Sequence, residues 1–127
     1  MTVDSTKIKG SIKGFKEVLK WKQMKLDVLK EAVNSETSLK LELLHKANEV
    51  KLKPDIVKEA YNLSKNPTEK QIQAYIDETY KDLTDDYELA KQNTALIRKE
   101  LEWIDDCISL VKYILRSLEN EKEKGIQ

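Results

Sequence analysis

The chain has one cysteine, one histidine, two prolines and three glycines in 127 residues, and each scarcity excludes something. A single thiol, Cys107, excludes an internal disulfide and fits a reducing compartment. With His45 as the only histidine, far along the chain from Cys107, no zinc set of the usual cysteine and histidine ligands can be built from one chain. No segment approaches the roughly 18 apolar residues of a membrane span, and the lysine-bearing N-terminus has no apolar stretch of signal-peptide length. A soluble, cytoplasmic protein without a membrane role is expected. Charge of one sign is missing too: 23 basic residues balance 23 acidic ones. The balance is uneven along the chain, with 12 lysines against 7 acids up to Lys53 and 11 basic residues against 16 acids from Pro54 onward. Such a split lets the basic part meet an anion or attract the acidic part within an assembly.

What is abundant is helical periodicity. Ile76, Tyr80, Leu83, Tyr87, Ala90, Thr94, Ile97, Leu101, Ile104, Ile108, Val111, Leu115 and Leu118 alternate in steps of four and three. A mean spacing of 3.5 residues keeps one stripe turned toward a partner helix, the seam of a coiled coil. The spacing predicts one long helix over 67–122, opened by Asn66 as cap, Pro67 in the first turn and Glu69 reaching back. At 1.5 Å per residue its seam spans about 60 Å, too long for a compact domain of this size, so burying it calls for other copies of the chain. Beyond Leu96 a second stripe, Leu96, Trp103, Cys107, Leu110 and Ile114, runs beside the first and widens the apolar face enough for two neighbouring helices. Leu83, Tyr87, Ile97, Leu101, Ile104, Ile108, Val111, Leu115 and Leu118 are the candidate oligomerisation residues.

Upstream, Ile8, Ile12, Phe15, Leu19, Leu26, Leu29 and Val33 follow the same alternation, with Lys22 in the one polar slot. They predict a helix over about 7–33, interrupted at Asn34, Ser35, Thr37 and Ser38 and resumed by Leu39, Leu43, Ala47 and Val50. Pro54 restarts a short linking helix within 54–65. The fold expected is all-α and single-domain: basic N-terminal helices over 7–53, a linking helix and one long C-terminal helix, as a bundle or oligomer. Gly10 and Gly14 permit close helix approach but fit a mobile basic helix better, since each weakens a helix interior by roughly 1 kcal/mol.

No catalytic, cofactor-binding or metal-binding set emerges. Asp82, Asp85 and Glu88, followed by Glu102 and Asp105, echo the acidic motifs with which all-α nucleotide pyrophosphohydrolases hold magnesium. On a straight helix, however, Glu88 and Glu102 lie about 21 Å apart along the axis, and magnesium needs carboxylates that converge. A solvated acidic face and a non-enzymatic protein are expected. The first helix places Lys7, Lys9, Lys13, Lys16, Lys20, Lys22 and Lys25 against the single acid Glu17, with Phe15 and Trp21 interleaved. Lysines that neutralise phosphates beside aromatics that stack on bases describe a single-strand-binding surface.

Two stretches carry a family resemblance. Residues 37–47, TSLKLELLHKA, and residues 86–120, DYELAKQNTALIRKELEWIDDCISLVKYILRSLEN, resemble a basic helix and the C-terminal helix of the recombination-mediator family of T-even and related phages. The resemblance implies a phage-encoded accessory protein in the host cytoplasm that binds single-stranded DNA, assists a recombinase and assembles through its C-terminal helices. It also implies DNA contact by a basic segment, matched here at Lys51 and Lys53 and departed from at Pro54 and Asp55. The candidate nucleic-acid residues are accordingly Lys9, Lys13, Lys16, Lys20, Lys46, Lys51 and Lys53. The competing reading is a helical protein-interaction adaptor or secretion-associated chaperone with no nucleic-acid role, because a seam specifies contact without naming the partner.

Overall fold

A computed structural model describes the backbone of residues 5–126 and the side chains of residues 9, 10 and 12–121. The side chains of Lys7 and Ile8, which the first helix was expected to use, lie outside the described residues. The fold is all-α: α1 (Ser5–Leu52), α2 (Asp55–Ala60), α3 (Glu69–Thr79) and α4 (Lys81–Ile126), with no strand among the described residues. No described helix is long and apolar enough to cross a membrane.

The first helix is continuous for 48 residues, so the interruption expected at Asn34–Ser38 does not occur. Polar residues there cost only a few tenths of a kcal/mol each in helix propensity. The half-buried Val33, Leu39 and Leu43 and the buried Ala32 hold the helix across them. Pro54 ends it, because proline cannot donate the next helical hydrogen bond. The linking helix α2 then stops at Ala60, earlier than expected, on a left-handed cap. Asn62 takes φ 51°; its amide donates to Glu59 O at 3.1 Å and the Leu63 amide donates to Lys58 O at 2.9 Å. This pairing is a Schellman motif with asparagine in the position glycine usually holds.

The C-terminal half departs from expectation at two places. Its N-cap is Thr68, not Asn66: Thr68 Oγ1 accepts from the Gln71 amide at 3.3 Å, and Gln71 Oε1 accepts from the Thr68 amide at 2.9 Å. Thr-x-x-Gln satisfies the capping box as well as the upstream Asn66 and Glu69 do, and it leaves Pro67 outside the helix. The helix expected to run unbroken over 67–122 is also jointed at Tyr80, whose backbone sits at φ −109° and ψ 29°. The Thr84 hydroxyl donates to Tyr80 O at 3.0 Å, in addition to the Thr84 amide at 2.9 Å. Back-bonding of this kind bends helices without proline or glycine. At the far end α4 continues to Ile126, through Gly125 and beyond the expected residue 122.

By contacts the chain falls into two compact units: one holds Glu31–Thr94, and the other gathers α1 up to Lys30 with α4 from Ala95. In the first, Val50, Val57 and Ile76 from α1, α2 and α3 are buried together, with Ala47, Tyr61, Ile72, Tyr75 and Tyr80 packed on them. Tyr61 and Tyr75 meet edge to face at 6.1 Å and 85°, and the Tyr61 hydroxyl donates to Glu78 Oε2 at 3.4 Å. In the second unit α1 and α4 are antiparallel. Lys22 Nζ pairs with Asp105 Oδ1 at 2.8 Å, while Lys25, further along α1, pairs with Glu100, which lies earlier on α4.

Candidate functional site

Within that two-helix unit the α4 seam is covered by the chain itself. Ile97, Leu101, Ile104 and Ile108 are buried, and Val111, Leu115 and Leu118 half-buried. The only other element in the unit is α1, whose Phe15, Val18 and Leu29 are half-buried in turn. The expectation that burying this stretch needs further copies of the chain is thereby corrected, because a 3.5-residue seam accepts an antiparallel helix of the same chain as readily as a copy. Leu83 and Tyr87 of the candidate set are half-buried in the other unit. Thr94, also on the seam, is fully buried and satisfies its hydroxyl by donating to Ala90 O at 3.0 Å.

Two surfaces lie outside this seam. On one side of α1 the candidate lysines Lys9, Lys13, Lys16 and Lys20 are all exposed. Steps of four, three and four place them within about 60° around the helix axis, a file about 16 Å long. No ion pair involving them is found among the described residues, whereas Lys22 and Lys25, read as part of the same basic face, are occupied by Asp105 and Glu100. The other candidates separate from the file. Lys46 is half-buried, and Lys51 and Lys53 are exposed at the end of α1 in the unit of residues 31–94. There Lys51 lies in the last turn of the helix, where a cation is favoured by the backbone dipole alone.

Beside the file lies an apolar surface. Trp21, Met24 and Lys25 of α1 and Glu100, Trp103, Ile104 and Cys107 of α4 line a groove of about 440 Å³. Trp103 is 72% exposed, Met24 65% and Trp21 59%. The free thiol of Cys107 is half-buried in its wall. No family model, curated protein or solved structure matches the chain. The two surfaces must therefore be judged on their own chemistry. Sequence reasoning placed Trp103 and Cys107 on a second stripe but read Trp21 only as an aromatic among lysines. The missed signal is positional: Trp21 precedes the seam slot Lys22 as Trp103 precedes Ile104, so both lie on the same side of their seams.

The acidic residues do not assemble. Asp82, Asp85, Glu88, Glu102 and Asp105 are all exposed, and no three metal-ligating side chains come together among the described residues. His45 is exposed and 3.0 Å from Glu49, one turn along α1.

Proposed function

We propose that the protein is a non-enzymatic accessory of DNA recombination that binds single strands through the Lys9–Lys20 file and assists a recombinase. The supporting observation is the file itself: four exposed lysines at successive turns of one face, with no acidic partner among the described residues. Lysines spaced so regularly suit a repeating polyanion better than a single small anion. Contact of this kind is sequence-independent and weak per subunit, so repetition in a homo-oligomer supplies the avidity. This role belongs in the cytoplasm.

Titration of a fluorescent oligo-dT at about 50 and 200 mM salt tests the reading. Neutralising four phosphates on a single strand gives a log–log salt slope near −3, at about −0.7 per phosphate. Replacing Lys9, Lys13, Lys16 and Lys20 with alanine should abolish most binding and flatten the slope while leaving helicity intact. No binding by the parent at the lower salt overturns the proposal. A second reading, a helical protein-interaction adaptor or chaperone, is favoured by the groove between Trp21 and Trp103, and absence of DNA binding would bring it forward.

A further inference from the structure

We infer that the Trp21–Trp103 groove is the contact face between two copies of this chain, paired about a two-fold axis parallel to the helices as a four-helix bundle. The inference stands apart from the nucleic-acid reading, because none of the four file lysines lines the groove.

Three observations point to a second copy as the occupant. The first is extent. From Trp103 the flank continues along α4 through Cys107 to the exposed Leu110 and Ile114, at steps of four, three and four. A stable dimer buries on the order of 800 Å² per partner. Two large aromatics of roughly 150–250 Å² each, more than half exposed, together with Met24, Leu110 and Ile114, provide most of it. Single chains rarely leave so large a contiguous apolar patch in water.

The second observation is charge. The ionised side chains lining the groove, Lys25 and Glu100, already pair with each other. The groove lining therefore has no net charge with which to repel its own image. Rotation about an axis parallel to the helices sets α1 of each copy against α4 of the other, bringing Lys25 to the level of the partner's Glu100. The same patch then complements itself, as an isologous contact requires.

The third is direction. In the two-helix unit α1 and α4 are antiparallel. The same rotation makes every adjacent pair in the bundle antiparallel, so the helix dipoles also align favourably.

Sedimentation velocity on the full chain from about 1 to 100 micromolar, with tryptophan emission followed in parallel, tests this. The parent should sediment as two 14.8 kDa chains, and its emission should shift to longer wavelength on dilution as the tryptophans return to water. Trp103→Glu should weaken the dimer at least about 30-fold. Its far-UV circular dichroism should be unchanged, because residue 103 lies outside the core of the single chain. Leu89→Glu, at an exposed apolar position on α4 in the other unit, should remain dimeric. A parent that stays monomeric at 100 micromolar overturns the proposal and leaves the groove to a helix of another protein. An assembly whose mass Trp103→Glu does not change overturns it as well. Binding to an oligo-dT too short to span two chains should survive in Trp103→Glu, with only the added avidity on longer strands lost, so failure of the dimer and failure of the DNA-binding reading are separable.

Discussion

Asn62 holds a left-handed backbone that costs most side chains about 1 kcal/mol or more, and asparagine is among the few that tolerate it. Asn62→Ala should lower the free energy of unfolding by about 1 kcal/mol in urea titrations, whereas Asn62→Gly should match or exceed the parent. A loss in Asn62→Gly as large as that in Asn62→Ala would show that the asparagine side chain, not the backbone, matters there. Next to it, burial, and after burial the neighbouring Glu78, push the Tyr61 hydroxyl above its ordinary pKa of 10.0. The neutral phenol is thus favoured in the folded state. Its contribution is fully present below pH 10 and is lost as pH rises through the raised value. The turn chemistry was partly legible in the sequence. Asn66, Pro67 and Glu69 announced a helix start, but Thr68 with Gln71 offered the same capping pattern two residues on. Nothing local in the chain chooses between them.

At the scale of the element, α1 is informative for its two glycines. A methyl group built at Gly10 or Gly14 meets nothing within 4 Å, so neither glycine is there to admit a neighbouring helix. Alanine in their place removes the entropic penalty without a clash, and Gly10→Ala with Gly14→Ala should stabilise the protein by roughly 1–2 kcal/mol, measured by thermal or urea unfolding. No gain, or a loss, would mean that the start of α1 is not helical in solution. The seams were readable because apolar spacing outweighs single-residue propensity. For the same reason the polar run at Asn34–Ser38 misled, since four weak helix formers do not stop a helix anchored on both sides. The joint at Tyr80 had no proline or glycine to mark it. It depends on the Thr84 hydroxyl and on Tyr80 packing against a cluster drawn from α1, α2 and α3, which no local stretch of sequence announces.

At the scale of the whole molecule, the unit holding Glu31–Thr94 is one contiguous stretch of chain, while the other is assembled from the two ends. The all-α class and the stripe that lies buried were open to sequence reasoning. What covers the stripe was not, because periodicity is the same whether the partner helix belongs to the same chain or to another. The consequence is an order of events in time. Bringing α1 and α4 together closes a loop of more than sixty residues, an entropic cost that falls sharply once the intervening segment has folded. The segment around Val57 should therefore form first and act as the nucleus, with the two arms closing after it. In stopped-flow measurements Val57→Ala should slow refolding, and Ile108→Ala, which trims only the late contact, should chiefly speed unfolding. The reverse pattern would mean that the arms find each other first. A ribosome releasing this chain would leave the seam of α1 before Lys30 uncovered until α4 beyond Ala95 has emerged, so for most of its own synthesis the chain carries an open apolar stripe.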